Sequence, residues 1–318
     1  MKPITIALDE YFRHCQYDKN LNKLTLKAYK QDLTQFNNLI GTPTTITDLT
    51  KENIRNYIKA LFDQKLKESS IKRKVASLKA FLRFLEYEDQ ILVSPFRKLN
   101  IQIRIPKRVP RFLSLNDVQV LFYSVKNELA LIHPLRNNVE QDGQAGFTKY
   151  YYSLQKLVIL EILFVSGVRV SELCNLNIED IDLNKKVIKV SGKGSKERSV
   201  VITHVETIKT LSEFITLRRA IQVDSGALLI NRLKKRMQTQ SIRNMLKNFS
   251  TETKLPMKTT PHMFRHTVAT LLIENGIDTR FVQKFLGHSS IITTQIYTHL
   301  STNAEREMIS KNHPRNQL

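Results

Sequence analysis

Two prolines, Pro106 and Pro110, stand within "RIPKRVPR" at residues 104–111. Proline has no amide proton to donate and its ring clashes with the preceding turn, so neither a helix nor a central strand runs through the pair. Helical patterning resumes only after Ser114, a residue type that caps new helices. The same segment is basic, carrying Arg104, Lys107, Arg108 and Arg111. It predicts a division of the 318 residues into an N-terminal domain at 1–101, a basic linker at 102–111 and a C-terminal domain at 112–318. A hydrophobic content of 41% is enough to give both parts a core.

Within the first part, apolar spacing and capping residues predict four helices: about 4–17, 25–40 behind a Thr25 cap, 51–65 behind Thr50, and 70–88. In the last of them Val75, Leu78, Leu82 and Leu85 recur at helical spacing, which leaves Lys72, Arg73, Lys74, Lys79 and Arg83 largely on the other faces. The expected product is a small helical bundle with a basic face. Lys72, Arg73, Lys74 and Lys79, with Arg104, Lys107 and Arg108 of the linker, are candidate contacts to phosphates, which fix position without reading sequence.

In the second part a helix at 115–131 leads into "HPLRNNVEQDGQAGFTKYYY", polar and without a clear period, which reads as a surface insertion at about 133–150. The apolar stretch 154–166 reads as a buried helix ended near Gly167. "KKVIKVSGKGSKERSVVI" then alternates in the manner of two strands around a glycine-permissive turn, a hairpin with lysines at its tip. Further helices are expected at about 204–220, 238–253, 261–275, 278–286 and 289–300. The fold class is mainly α with one small antiparallel β-hairpin.

Fifty Lys and Arg against twenty-nine Asp and Glu give a formal charge of +21, spread over both halves of the chain. Such a field attracts polyanions, and nucleic acid is the leading partner. Two basic domains joined by a basic linker suggest a clamp around a duplex. No apolar run approaches the roughly 18 residues that span a bilayer, so no membrane partner is expected. Cys15 and Cys174 are far apart and lack neighbours at metal-ligand spacing, which fits a reducing cytoplasm.

Four short stretches carry the candidate chemistry. "HMFRH" puts His262, Arg265 and His266 within about one helical turn. Histidines at i and i+4 can bind zinc, but the zincin pattern places a glutamate after the first, and here that place is Met263; no metal site is expected. "SGVRVSELCNL" sets Arg169 just after a glycine-ended helix, with Glu172 three residues on, where a carboxylate can orient a guanidinium. "GKGSKER" offers Lys193 and Lys196, and "LGHSSIITTQIYTHL" holds His288 and Tyr297.

In that order, Arg169, Lys193, His262 with Arg265, His288 and Tyr297 resemble the catalytic constellation of the tyrosine recombinases, the phage-integrase family. The N-terminal bundle, above all "SSIKRKVASLKAFLRFL", resembles the family's SAM-like core-binding domain, and the tail "YTHLSTNAEREMISKNHPR" is most similar to the bacterial XerC/XerD group. The stretch near 133–150 departs from the compact Xer pattern. The resemblance implies a helical core-binding bundle followed by a mostly helical catalytic domain. It also implies a site-specific recombinase that cuts and rejoins DNA through a 3′-phosphotyrosyl intermediate without metal, ATP or any other cofactor.

In that reading Tyr297 is the nucleophile. Arg169 and Arg265 meet the charge that builds on the phosphate, helped by His262 and His288. Lys193 gives the leaving oxygen its proton, with Lys196 as the solvent-facing alternative. Glu172 holds an active-site group in orientation. Double-stranded DNA sites are the expected substrates, joined in a synaptic homotetramer or in a heterotetramer with a paralogous recombinase, the C-terminal tail docking on a neighbour. A Xer-type resolution of chromosome or plasmid dimers is expected first, because the sequence opens directly on the core-binding bundle. A mobile-element integrase is the alternative within the family. A non-catalytic architectural DNA-binding protein and a relaxing topoisomerase are the alternatives outside that activity.

Overall fold

A computed structural model describes residues 2–39, 45–105, 111–136, 139–192, 197–221, 223, 225–287 and 310–317. The chain separates into two compact units, Met1–Arg108 and Val109–Leu318.

The first unit is a bundle of α1 (Ile4–Tyr17), α2 (Lys23–Leu39), α3 (Lys51–Asp63) and α4 (Glu68–Tyr87). The apolar stripe of α4 is buried as its spacing requires, with Ile71, Leu78, Phe81, Leu82 and Leu85 closed to solvent. Tyr11 of α1 packs on it, its ring 5.4 Å from Phe81 and 5.3 Å from Phe84. Thr50 caps α3 by accepting from the Asn53 amide. Thr25 does not cap α2: the helix begins at Lys23, and the Asn22 side chain accepts from the Thr25 amide at 2.9 Å. Both residue types cap well and stand three positions apart, so spacing alone could not choose between them.

Asp32 of α2 is buried, and α4 supplies its partners. Ser77 donates at 2.8 Å, Lys74 at 3.2 Å, and Arg73 also donates to it. Two of the four candidate phosphate contacts on α4 are therefore bonded to a carboxylate of the bundle, Arg73 while half exposed and Lys74 with little exposed surface, whereas Lys72 and Lys79 face solvent. Arg104 is exposed, and Lys107 and Arg108 lie outside the described residues.

The second unit is built around α6 (Val139–Ser166), whose Leu157–Phe164 stretch is apolar nearly all round apart from Glu161, and is buried all round. It packs against α5 (Leu115–Arg136) and α8 (Val205–Ala220). The expected surface insertion at about 133–150 is a departure: α5 continues to Arg136 and α6 starts at Val139. Polar composition hid a helix that no proline interrupts after position 134, and Gly143 and Gly146 raise its cost by only about 1 kcal/mol each. Further along, Tyr150 donates to Glu213 of α8 at 2.6 Å and Tyr151 stacks on Phe214.

After α6 come α7 (Val170–Asn175) and a three-stranded antiparallel sheet in the order β1 (Ile181–Asp182), β2 (Val187–Ser191), β3 (Glu197–Val201). The β2–β3 pair is the expected hairpin, with Val190 opposite Arg198. Helices α9 (Thr239–Glu252), α10 (Pro261–Glu274) and α11 (Thr279–Leu286) follow as the sequence predicts, and the expected helix at 289–300 lies outside the described residues.

Near the C-terminus, the chain at 310–317 returns to α6. Arg315 makes a two-pronged ion pair with Glu161 at 2.6 and 2.9 Å, both side chains buried. His313 is buried beside it and donates through Nε2 to the Val165 carbonyl at 2.9 Å, while its Nδ1 accepts from the Arg315 amide at 3.0 Å. Among the described residues no helix is long and apolar enough to cross a membrane.

Candidate active site

Three helix ends meet here, those of α6 and α11 and the start of α7. Helix α6 stops at Ser166, and Gly167 turns the chain at a φ of +56°, a left-handed conformation that glycine adopts without strain. A Cβ there would stand 2.4 Å from the Leu286 side chain, so the end of α11 also needs a glycine at 167. Arg169 follows at the start of α7, where the Glu172 carboxylate accepts its amide proton at 2.9 Å. At the other end of α7, Arg236 donates to the Cys174 and Leu176 carbonyls at 3.0 and 3.1 Å and holds the negative end of that short helix.

Helix α10 is set by Thr260, whose hydroxyl accepts from the Met263 amide, and by Pro261 in the first turn. This start puts His262 at the exposed beginning of the helix and turns Arg265 inward, 5% exposed. Arg265 donates from Nη1 to the Gly167 carbonyl at 2.8 Å and from Nη2 to the Leu286 carbonyl at 2.6 Å. Arg169 donates from Nη2 to the next carbonyl, that of Gly287, at 3.2 Å. Two arginines more than 90 residues apart in sequence thus hold consecutive carbonyls at the end of α11. Those carbonyls carry the partial negative charge of a helix C-terminus, which lowers the cost of placing two cations side by side.

Glu172 completes the balance. Its Oε1 accepts from Arg169 Nη1 at 2.7 Å, and its Oε2 accepts from Arg198 Nη2 at 2.8 Å. Burial alone would raise its pKa, but the hydrogen bonds from Arg198 and Arg169 outweigh burial and bring it down to about 2. It is a fixed anion at neutral pH. Burial, then the charge of Arg169, lowers Arg265 to about 10, and it remains a cation. His262 is lowered by burial and by the charges of His266, Arg265, Arg169 and Arg243, which favours a neutral ring with one donor and one acceptor nitrogen.

The geometry therefore brings together Arg169, Glu172 and Arg265, with His262 in the field of the same arginines. Lys193, His288 and Tyr297 lie outside the described residues. In sequence, Lys193 falls between β2 and β3, and His288 is next to Gly287. The rings of His262 and His266 stand 6.4 Å apart, and the described residues contain no group of three metal-ligating side chains. Sequence reasoning missed Arg198: in "SKERSVV" it looks like any charged residue of a hairpin, and its partner Glu172 lies 26 positions earlier.

A helical unit of four helices, then a mostly helical unit with one hairpin and a paired-arginine centre, is the plan of the phage integrase family, and the chain belongs to it. The model of the phage integrase family matches residues 146–304, and that of the phage integrase N-terminal SAM-like domain matches residues 8–89. A tyrosine recombinase of Agathobacter rectalis is 35% identical, over 99% of this chain and 98% of its own. The tyrosine recombinase XerC of Thermodesulfovibrio yellowstonii is 31% identical over 96% of each chain. Among solved structures, the Tn1549 transposon integrase in complex with transposon right end DNA shares the fold at a TM-score of 0.67, with 18% identity, covering 98% of this chain and 99% of that one. The protein is a tyrosine recombinase, an enzyme of site-specific recombination.

Proposed function

We propose that the chain cuts and rejoins duplex DNA at specific sites, with Tyr297 as nucleophile and the Arg169–Arg265 pair as the phosphate-binding centre. The observation that carries this reading is the convergence of both arginines on the carbonyls of Leu286 and Gly287, immediately before His288. The Tyr297 hydroxyl gives up its proton to solvent as it attacks phosphorus, the bond to the 5′-oxygen breaks, and that oxygen takes a proton from Lys193. The product is a 3′-phosphotyrosyl ester, which a 5′-hydroxyl of a second strand reverses, so bond energy is conserved and no ATP is required. Charge growing on the non-bridging oxygens is met by the two guanidiniums, with His262 and His288 adding hydrogen bonds. This arginine pair takes the role that metal ions have in many nucleases.

The partners in this reading are two DNA sites held in a synaptic tetramer, of this chain alone or with a paralogous recombinase. Likeness to a XerC recombinase over nearly the full length supports a Xer-type role, the resolution of chromosome or plasmid dimers. The transposon integrase shares the fold, and a mobile-element integrase is the alternative.

The test incubates wild type and Tyr297→Phe, in EDTA, with fragmented DNA of the organism that encodes the protein, and sequences the DNA ends in SDS-resistant adducts. Adducts from wild type alone, converging on one chromosomal locus, support the Xer-type reading, and convergence on element ends supports the integrase. Tight binding with no adduct from either protein favours an architectural role or an absent partner recombinase. Supercoil relaxation without recombinant product favours a topoisomerase.

A further inference from the structure

Arg198 lies on β3 and its side chain is largely buried, 17% exposed. One end of its guanidinium takes the second oxygen of Glu172 at 2.8 Å. The other side lies against Gly287: a Cβ built on that glycine would meet Arg198 Nη1 at 3.1 Å and its Cδ and Cζ at 3.3 Å. Among the described residues its buried Nε has no hydrogen-bond partner. The residue thus joins β3 to two other parts of the site, α7 and the turn at Gly287, yet Lys193 and not Arg198 is the hairpin residue that the proposed chemistry uses.

We infer that Arg198 is a positioning residue for strand cleavage, which holds Glu172, and through it Arg169, in fixed register with the turn at Gly287 that leads to His288. Glu172 has two oxygens and two guanidinium partners. Without Arg198, Oε2 keeps the Arg169 backbone amide, and both oxygens of the carboxylate then bond to Arg169 alone, which strengthens its pull on that guanidinium. Arg169 would then be drawn toward Glu172 and away from the Gly287 carbonyl. A displacement near 1 Å of a transition-state donor is enough to cost on the order of 10²-fold in rate. Because Arg198 also fills the space over Gly287, its loss opens room for that turn to shift.

The inference rests on the recombinase reading above, and its test separates the two. Arg198→Met and Arg198→Lys are compared with wild type, Glu172→Gln and the Arg198→Met/Glu172→Gln pair, on a duplex carrying the locus recovered by adduct sequencing. The Met variant should bind that duplex with wild-type Kd and form the phosphotyrosyl adduct roughly 10- to 100-fold more slowly in single turnover. The Lys variant, which keeps a charge on Glu172, should recover part of the rate. The Met variant should also lose rate at a higher pH than wild type on the acid side, because Glu172 loses the partner that most lowers its pKa. The double variant should be no slower than the slower single, since both changes break one linkage. Wild-type cleavage by a folded Met variant overturns the inference, as does a loss that appears wholly in Kd or adds fully to that of Glu172→Gln. If the Met variant does not fold, the Lys variant decides: a normal rate with an unmoved acid limb overturns it as well. Absence of adduct from wild type sinks the recombinase reading itself.

Discussion

Arg265 and Leu286 are joined at 2.6 Å, guanidinium to backbone carbonyl, so the buried arginine of α10 is fastened to the last residue of α11. The chain then passes through Gly287 at a φ of +67°, with Arg198 lying over the glycine. Gly287→Ala meets both a left-handed backbone and contacts of 3.1–3.3 Å with Arg198. It should cost about 1–2 kcal/mol in urea unfolding and reduce adduct formation by more than it reduces DNA affinity. Full adduct yield from the alanine variant would mean that the turn has slack and its register does not limit cleavage.

Glu172 makes stability depend on acid. Its pKa in the folded protein is about 2 against an ordinary value of 4.5, so the folded state binds its proton less readily than the unfolded state does. The contribution is complete above pH about 4.5 and is lost as pH falls from there toward 2, for a total on the order of 3 kcal/mol. The expected observation is that wild type and Glu172→Gln differ most in unfolding free energy near neutrality and converge on acidification. A gap that is constant with pH would place the effect in packing instead of charge.

What could be read from sequence was local. The α4 stripe, the hairpin around Gly192–Gly194 and the Arg169–Glu172 pair at i,i+3 all follow from neighbours within a few residues. What could not be read depends on residues brought together from far apart: Lys74 with Asp32 across 42 positions, Arg198 with Glu172 across 26, and Arg315 with Glu161 across 154. A lysine at the edge of an apolar stripe has the same local pattern whether it faces solvent or a buried carboxylate. The helical run through 139–150 was hidden for a different reason: polar composition without a clear period reads as a loop, yet it does not exclude a helix.

The basic face of α4 should divide accordingly. Lys72→Ala and Lys79→Ala remove exposed charges, and each should leave stability unchanged while weakening DNA binding and lowering the salt slope by about one phosphate contact. Lys74→Ala instead removes a partner from buried Asp32 and should destabilise the N-terminal unit by about 1–3 kcal/mol. Affinity measured across salt concentrations, alongside thermal unfolding, checks both. A pure binding defect in Lys74→Ala would return that lysine to the DNA-facing set.

His313 should make the C-terminal segment acid-sensitive well before Glu172 titrates. Burial holds its pKa at about 4, against 6.5 for a free imidazole; the Val165 carbonyl, which accepts from Nε2, opposes the shift, and the nearby charges of His204 and Arg315 add to it. Nδ1 is occupied as an acceptor from the Arg315 amide, so protonation there breaks a hydrogen bond and buries a charge. The unfolded state therefore takes up the proton first. The stabilisation is complete above pH about 6.5 and is lost as pH falls from 6.5 toward 4. Across that range wild type should lose on the order of 3 kcal/mol that His313→Gln does not lose. Amide exchange at 310–317 should quicken over the same interval in wild type, because release of His313 also frees Arg315 from Glu161. Among the described residues, Arg315→Ala leaves buried Glu161 with Thr207 as its one side-chain donor and should cost about 3–5 kcal/mol at neutral pH, part of which Glu161→Gln restores. Exchange at 310–317 that is independent of pH between 7 and 4.5 would show that the imidazole does not control the docking of this segment.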